Sequence, residues 1–451
     1  MIKSSMNIYR RLFSVALPIA IQQIILSSMN FVDMLMIGQL GEVSISAVGL
    51  SNQFFFIFNV VMFGLVSGGS IFIAQFWGTK QTFNISRTTA LMLTCSLILS
   101  SIFFVLAFFF PENTLRVFSP DLQVIRDGAG YLNAISFSFI TFGITMTYAF
   151  VMRNTEKAVI PMMVSMIAIG LNVLLNYSLI FGNFGFPKLG IRGAGIGTLL
   201  SRIFEMILIL IIVYARKLPG RVNLEHFKAL SKTFFKRFLK YTTPTVLNEL
   251  FWSTGFSMYA IIYSYMGTKL LAANRIMNSI ERFSFAVLLA LSNAAAVIIG
   301  QELGKSSFEN AKYISKKIIY LELFLAVLFI TPMIIFAPVF VNIFSVSDEV
   351  KKLAILLLRL SMLYAPIKIL NGLFIVGILR AGGDTKFSFY VEAGCLWLVG
   401  IPITAIAGLV LKWPFPVVYS LCMVEETTKF LILIKRYKKG AWLKNVVESI
   451  H

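Results

Sequence analysis

Long apolar stretches alternate with short polar segments along the whole chain. Twelve of these stretches have about 20 residues or more, the length that an α-helix needs to cross the hydrocarbon core of a bilayer. The pattern predicts an all-α polytopic membrane protein with twelve transmembrane helices. The predicted spans are 12–37, 45–74, 88–110, 128–151, 158–182, 193–215, 239–265, 270–300, 315–342, 354–379, 387–410 and 413–434.

The composition excludes a soluble enzyme. Of the 451 residues, 58% are hydrophobic and 13% are charged, whereas soluble domains are about half apolar and a quarter charged. Cys95, Cys395 and Cys422 lie in apolar stretches without Cys-x-x-Cys spacing, which indicates helix packing. Two histidines are too few for a His-based metal site.

The net charge of +20 would favour a nucleic-acid partner in a soluble protein. Here the positive side chains concentrate in alternate loops, as the positive-inside rule describes. We therefore expect a multi-pass protein of a prokaryotic inner membrane, with both termini in the cytoplasm and no nucleic-acid partner. The cation-rich segments are the N-terminal tail, 75–87, 152–157, 216–238, 301–314, 380–386 and the C-terminal tail.

An internal repeat divides the chain into two halves, 1–225 and 226–451, joined by the basic loop. Six helices in each half give both halves the same orientation, which predicts two pseudo-symmetric six-helix bundles facing a central cavity. One constant shift along the chain pairs Pro18 with Pro244, Gly41 with Gly267, Ala47 with Ala273, Gln75 with Gln301 and Gly78 with Gly304, and a shift longer by one position pairs Arg153 with Arg380.

Polar side chains inside the first half suggest a cation site. A charge at the centre of a span costs about 2.5–3.5 kcal/mol on insertion scales, so Asp33 in the first span is a functional candidate. Asn172 and Asn176 are one turn apart and share a face of the fifth span, and Thr198 lies at similar depth in the sixth. Their oxygens suit Na⁺ or a hydrogen-bonded protonated Asp. The alternatives are an interfacial acid and polar contacts between helices.

The second half has its own acids. Glu249 lies near mid-membrane, where an unpaired charge is hard to explain structurally, and the shift that pairs the two prolines places it opposite Gln23. It follows Pro244, which predicts a helix kink, as Pro18 does in the first span. Glu392 could share a cavity with Glu249, or it could be an interfacial acid near Lys386.

Other charges in the spans favour local ion pairs. Glu205 is three residues from Arg202, and Glu281 adjoins Arg282 near Arg275. Asp384 follows two glycines and can cap the next helix. Glu425 and Glu426 precede Lys429, which predicts a packing or gating ion cluster.

The sequence shows none of the usual catalytic motifs and no loop long enough for a nucleotide-binding domain. We therefore expect no enzymatic activity and no cofactor other than a coupling ion, H⁺ or Na⁺.

Six segments, spread over nearly the whole chain, carry a resemblance to a known family: 31–41, 75–78, 171–198, 244–252, 301–304 and 377–385. Together they resemble the multidrug and toxic compound extrusion (MATE) family. The resemblance implies secondary active export of bulky, often cationic compounds through a V-shaped cleft, driven by an inward Na⁺ or H⁺ gradient.

The resemblance also implies roles for single residues. Asp33 is similar to the family's first-helix cation-site Asp, Asn172 to its fifth-helix Asn, and Thr198 to its sixth-helix Thr. Asn176 stands where many relatives have a second Asp, and the span 354–379 lacks the acid that some relatives carry there.

We therefore expect a monomeric exporter of amphipathic organic cations. Asp33 would bind the coupling ion with Asn172 and Asn176, and Glu249 with Glu392 would neutralise a cationic substrate or bind a second ion. Aromatic rings and Met side chains suit a cavity for varied cations. The candidate cavity residues are Gln23, Phe55, Met146, Asn248, Phe251, Phe256 and Met258.

Two rival functions follow from the same sequence. The first is a flippase for a lipid-linked oligosaccharide or similar precursor, which needs a basic cavity for pyrophosphate. Convergence of four cations would favour it: Arg275, Arg282, Arg359 and Lys368. The second is a membrane scaffold or receptor that transports nothing, which has no need of Asp33 or Glu249.

Overall fold

The computed structural model describes residues 2–344 and 346–448, without the side chains of residues 2–7, 30, 31, 283 and 284. In this part of the chain every regular element is helical, as expected where backbone polar groups must bond to each other inside a bilayer. The spans are α1 (Ile2–Gly38), α2 (Glu42–Gly78), α3 (Thr82–Phe109), α4 (Leu122–Ile135 and Ser138–Asn154), α5 (Val159–Phe181), α6 (Ile191–Ala215), α7 (Lys232–Met266), α8 (Thr268–Gly304), α9 (Phe308–Ile335), α10 (Asp348–Gly372, then a π-helix over Leu373–Leu379), α11 (Thr385–Cys395, continuing to Val410) and α12 (Phe415–Ser420 and Cys422–Lys438).

Hydropathy alone would find fewer spans. Among the described residues, nine helices are long and apolar enough to cross a membrane, and the two parts of α4, bent by 51°, make a tenth. The other two are α7 and α12. The helix Cys422–Lys438 has a run of charged residues, Glu425, Glu426 and Lys429, which are a main feature of the second half.

The helix boundaries repeat along the chain. α2, α3 and the short helix Pro111–Arg116 have the same lengths and the same spacing as α8, α9 and the short helix Ala337–Asn342, at the shift that pairs Pro18 with Pro244. Gly41 and Gly267, which precede α2 and α8, both have positive φ, a conformation that glycine adopts without strain. Lys80 and Ser306, just after the same helices, also have positive φ. The repeat is thus one of backbone geometry as well as of residue type.

The chain forms two compact units. One is Ile21–Val246, and the other combines Met1–Ala20 with Leu247–His451; we call them the N-lobe and the C-lobe. Both divisions fall within helices, two residues after Pro18 in α1 and two residues after Pro244 in α7. They do not coincide with the sequence halves 1–225 and 226–451. The division of the chain into the repeated halves 1–225 and 226–451 stays a prediction, as do the helix kinks at Pro18 and Pro244.

Aromatic packing holds α2, α3 and α4 together in the N-lobe. The rings of Phe54, Phe58, Phe103 and Phe139 have centroids 5.0–6.1 Å apart, a spacing typical of favourable edge and tilted contacts.

Candidate functional site

The first site lies in the N-lobe, where α1, α5 and α6 meet. Asp33 is near the end of α1, and Asn172 and Asn176 lie one turn apart on α5. Thr198 is in the second turn of α6. The structure brings these four predicted side chains into one hydrogen-bonded set.

Asn176 is at the centre of the set. Its Nδ2 donates to Oδ1 of Asp33 at 2.9 Å and to Oδ1 of Asn172 at 3.2 Å. Nδ2 of Asn172 donates to Oγ of Ser201 at 3.1 Å and to Oγ1 of Thr198 at 3.4 Å. Both Asn side chains are buried, whereas Asp33 and Thr198 are partly exposed. Two buried amides therefore orient the Asp33 carboxylate, which remains accessible to an ion.

One oxygen at this site has no donor. Oδ1 of Asn176 is buried and without a hydrogen-bond partner in the described structure. It fits against Gly197, where a Cβ would meet it. An unsatisfied buried acceptor costs about 1–3 kcal/mol. A hard monovalent cation, or the O–H of a protonated Asp33, would satisfy it, so the oxygens present fit either ion.

The nearby cation is already engaged. Nη1 of Arg202, one turn after Thr198 on α6, lies 2.8 Å from Oε2 of Glu205, which confirms the predicted local ion pair. Glu205 is buried and also accepts from Oγ of Ser165 at 2.7 Å. Among the described residues, Asp33 forms no ion pair of its own.

A line of hydrogen bonds continues from Ser165 to α4. Nε2 of Gln22 donates to Oγ of Ser165 at 2.8 Å, and Nη2 of Arg153 donates to Oε1 of Gln22 at 2.7 Å. The line joins α1, α4, α5 and α6. The sequence did not predict this line of hydrogen bonds, because its members are far apart in the chain. The available signal was that an arginine recurs at corresponding positions of the two halves, as Arg153 and Arg380.

The C-lobe contains the counterpart of that last contact. Nη2 of Arg380 lies 2.8 Å from Oε1 of Glu249, and the side chains are 3% and 13% exposed. Glu249 is therefore paired, which corrects the view of it as an unexplained charge. In these contacts Gln22 takes the place that Glu249 has in the C-lobe, whereas the shift that pairs Pro18 with Pro244 places Glu249 opposite Gln23, one position later.

Glu392 belongs to a larger cluster around Lys429. The ammonium lies 2.9 Å from Oε1 of Glu392, 2.9 Å from Oε1 of Glu425 and 3.4 Å from Oε1 of Glu426. Glu392 is buried, so its interpretation as an interfacial acid near Lys386 is wrong. Glu425 and Glu426 form the ion cluster that their spacing from Lys429 predicted.

Two other local predictions are wrong. Oε1 of Glu281 accepts from Lys368 at 3.1 Å and from Ser361 at 2.7 Å, in place of a pair with Arg275 or Arg282. Asp384 stands at the start of α11, but its side chain makes no capping bond there. It pairs with Arg436 instead.

The predicted cavity residues occupy varied surroundings. Phe55 packs against Phe58, Phe139 and Phe142, and Phe251 contacts Phe389 and Trp397. Phe256 stacks on Trp252. Gln23 is exposed, Met146 and Met258 are partly buried, and Asn248 is buried with an Oδ1 that has no partner in the described structure.

The sequence reasoning overlooked Glu322 in α9. This residue is fully buried, and Oγ of Ser292 donates to its Oε1 at 2.9 Å. Its Oε2 has no partner in the described structure. A single acid in an apolar run was the signal that could have found it.

The comparison with known families identifies the chain. The MatE family model matches residues 18–178 and, a second time, residues 244–406. The chain belongs to the MATE family. The two matches begin at Pro18 and Pro244. The distance along the chain between these two starts equals the distance between corresponding helix boundaries in the two halves of the MATE chain. It is a multi-pass membrane transporter, and not an enzyme.

Curated relatives cover nearly the whole MATE chain. It is 24% identical over 434 residues to the uncharacterized transporter YisQ of Bacillus subtilis, covering 96% of this chain and 95% of the relative. It is 26% identical to the probable multidrug resistance protein NorM of Pasteurella multocida, covering 87% and 85%.

Solved structures show the same fold. A MATE transporter in the bent conformation matches with a TM-score of 0.88 at 17% identity, over 97% of this chain and 96% of that one. A MOP superfamily transporter from Pyrococcus furiosus, whose reversed binding-pocket polarity is said to suggest a different function, matches with a TM-score of 0.86 at 17% identity, over 96% of both chains. These matches confirm the predicted all-α fold with twelve transmembrane helices.

Proposed function

We propose that this protein is a secondary active multidrug exporter in which inward flow of H⁺ or Na⁺ drives efflux of organic, often cationic compounds. The observation that carries the proposal is the N-lobe site, where Asp33 is oriented by Asn176 and has no ion pair of its own in the described structure. The name of the NorM relative, a probable multidrug resistance protein, supports export of drugs.

Coupling follows from the site if ion binding and substrate binding favour different conformations. An ion that binds one state more tightly shifts the population toward that state by its difference in affinity, and no more. Asn172, Asn176 and Thr198 complete the oxygen set around Asp33, so their arrangement decides how tightly the ion binds.

The distribution of charge supports the predicted location. The connections that hold most Lys and Arg alternate with poorly charged ones, which favours both termini in the cytoplasm. The bacterial relatives favour a prokaryotic inner membrane. The protein would act there as a monomer.

The flippase proposal is less well supported. Lys368 is neutralised by Glu281, and Nε of Arg359 donates to the carbonyl of Ile334. Arg275 and Arg282 have exposed side chains. Two of the four cations are thus engaged within the C-lobe, and a pyrophosphate group would have to compete for them.

Efflux from liposomes tests the proposal. Purified protein would be reconstituted, and release of a fluorescent organic cation followed under a pH gradient or a Na⁺ gradient imposed separately. We expect gradient-driven efflux in the wild type and its loss in Asp33→Asn. Asp127→Asn is the matched control, because Asp127 is an exposed acid of the same lobe.

The gradient that drives efflux would identify the coupling ion. Full gradient-driven efflux in folded Asp33→Asn would contradict the role given to the N-lobe site. Folded protein that moves no organic cation under either gradient, but moves a lipid-linked pyrophosphate, would establish the flippase instead.

A further inference from the structure

A cavity opens on the N-lobe between the start of α3 and the segment that follows α6. Its volume is about 350 Å³, which is within the range of small-ligand sites. Thr82, Phe83 and Ser86 line it from α3, whereas Lys217 and Arg221 line it from the segment after α6. The distribution of cations assigns both of these helix ends to the cytoplasmic side. In the proposed orientation the cavity therefore lies at the boundary between membrane and cytoplasm.

The polar groups that line the cavity suit an anion. Lys217 and Arg221 are exposed, and neither forms an ion pair among the described residues. Ser86 and His226 are 5% and 8% exposed. Nδ1 of His226 accepts the backbone N–H of Asn223 at 3.1 Å, so the neutral ring has its N–H on Nε2. Two cations, a hydroxyl and an imidazole N–H are the donors that a phosphate group with several oxygens requires.

The segment around the cavity has a strong excess of positive charge. Glu225, which also lines the cavity, is the only acid between positions 216 and 240. Basic pockets of this kind, between helices on the cytoplasmic side, are typical binding sites for anionic lipid headgroups. The basic residues of the segment are Arg216, Lys217, Arg221, Lys228, Lys232, Lys236, Arg237 and Lys240.

The backbone that carries the two cations is anchored by packing within the N-lobe. Leu218 and Val222 are buried, and the OH of Tyr214 donates to the carbonyl of Val222 at 2.8 Å. Gly220 lies so close to α4 that a Cβ there would collide with Cγ1 of Val151. The cavity is thus a built feature of the lobe.

Large apolar side chains are exposed next to the cavity. Phe83 is exposed at its edge, with its ring centroid 5.0 Å from that of His226. Leu224 and Phe227, in the short helix Leu224–Lys228, are also exposed. Exposed apolar groups beside exposed cations are typical of segments that lie at the surface of an anionic membrane. They favour a phospholipid, whose acyl chains would cover them, over a soluble phosphate compound.

The segment after α12 in the C-lobe is packed differently. Trp442 is fully buried, and its Nε1 donates to the carbonyl of Tyr437 at 3.2 Å. Nζ of Lys444 lies 3.7 Å from Oδ1 of Asp384, which also pairs with Arg436. This segment therefore fills its own space and has an acid beside its cations. The basic cavity of the N-lobe is thus not a general consequence of the repeated fold.

We propose that this cavity binds the headgroup of an anionic phospholipid from the cytoplasmic leaflet. Lys217 and Arg221 would hold the phosphate, and the acyl chains would lie against the exposed apolar side chains beside the cavity. The inference goes beyond the proposed exporter function and does not depend on it, because lipid binding can be measured without transport.

Native mass spectrometry of the full chain in detergent measures the bound lipid directly. The protein would be titrated with phosphatidylglycerol or with phosphatidylcholine of identical acyl chains, and the fraction that carries one lipid followed. We expect phosphatidylglycerol to be retained in preference to phosphatidylcholine. Lys217→Gln/Arg221→Gln should weaken this binding about 25-fold, since each cation beside an anionic lipid contributes about a fivefold factor.

Lys232→Gln/Lys236→Gln is the matched control. It removes the same charge from the same basic segment, but these two exposed side chains do not line the cavity, so it should weaken binding much less. Ser86→Leu keeps every charge and fills the cavity, so it should also displace the lipid. Thermal unfolding without added lipid verifies that each variant is folded.

Equal weakening by the two double variants would overturn the proposal, because it would indicate general attraction to a basic surface. Equal retention of phosphatidylglycerol and phosphatidylcholine would overturn it as well. Soluble glycerol phosphate distinguishes the two sources of the phosphate group. If it displaces phosphatidylglycerol at a comparable concentration, the cavity takes a soluble phosphate compound and the lipid is wrong; if the lipid stays bound, the proposal is supported. Failure of the efflux assay alone would bear on the exporter function and leave lipid binding standing.

Discussion

The two lobes place the same helices at the same intervals but give them different chemistry. In the N-lobe, Arg153 meets the neutral side chain of Gln22; in the C-lobe, Arg380 meets the carboxylate of Glu249. The N-lobe site is one acid among amides and hydroxyls, whereas the C-lobe cluster is an array of ions. A repeated scaffold therefore fixes where polar groups can meet without fixing their charge.

The largest expected effect concerns the contact that a buried arginine makes in each lobe, because its partner is a carboxylate only in the C-lobe. Arg380→Met leaves Glu249 buried without its partner, and breaking a buried ion pair costs about 3–5 kcal/mol. Arg153→Met leaves only Gln22, an uncharged group that keeps its bond to Ser165. We expect Arg380→Met to lower the thermal unfolding temperature in detergent much more than Arg153→Met.

The double variant Glu249→Met/Arg380→Met provides the control. It removes both charges, so it should recover most of the stability lost in Arg380→Met. Equal destabilisation by Arg380→Met and Arg153→Met would contradict the distinction between the two lobes.

A second change would make the N-lobe site more like an ion cluster. Asn176→Asp places a second carboxylate beside Asp33, and a unit charge about 4 Å away contributes roughly 1–4 kcal/mol at effective dielectric constants of 80 to 20. We expect Na⁺ to bind about fivefold more tightly or better. The measurement is the thermal shift in NaCl relative to choline chloride.

The charge-matched control for this change is Asp33→Asn/Asn176→Asp, which restores the original single acid. The additional thermal shift should disappear in it. If the double variant kept the additional shift, the extra charge would not be its cause.

These outcomes show which parts of the sites the sequence could predict. Spacing of three or four residues within one helix correctly placed Asn172 beside Asn176 and Arg202 beside Glu205. Spacing failed for Glu281, because Lys368 is 87 residues away, and only tertiary packing brings them together. The contact of Glu322 with Ser292 could not be predicted, because Ser292 is an ordinary residue on another helix, although the acid itself stands out in its apolar run.

A third, smaller effect concerns close helix packing. A Cβ at Gly197 would meet Asn176, and overpacking of this kind costs about 1–3 kcal/mol. We expect Gly197→Ala to lower the unfolding temperature and to weaken ion binding in the N-lobe. Gly170→Ala on α5 is the control, because a Cβ there has open space; similar losses in both variants would refute the steric argument.

The smallest effect concerns His226, outside the spans in the segment between α6 and α7, within the N-lobe. Burial lowers the pKa of His226, and its Nδ1 accepts the backbone N–H of Asn223, which requires an unprotonated nitrogen. Its contribution to stability is therefore present above the unfolded pKa of about 6.5 and lost as the pH falls through the lower folded value.

Thermal unfolding at neutral and mildly acidic pH measures this contribution. The wild type should lose slightly more stability on acidification than His226→Asn, which cannot take up a proton. A pH dependence that is the same in both proteins would mean that His226 contributes nothing.

The π-helical turn of α10 lies where the offset between the two halves of the chain changes. Helix boundaries before it keep one constant offset between the halves, from the start of α2 and α8 up to Leu122 and Asp348. The offset between Arg153 and Arg380 is longer by one position, and the turn Leu373–Leu379 lies just before Arg380. A π-turn accommodates one additional residue in a helix. One additional residue in this turn accounts for the longer offset, and it rotates the end of α10 about the helix axis relative to the corresponding end of α4.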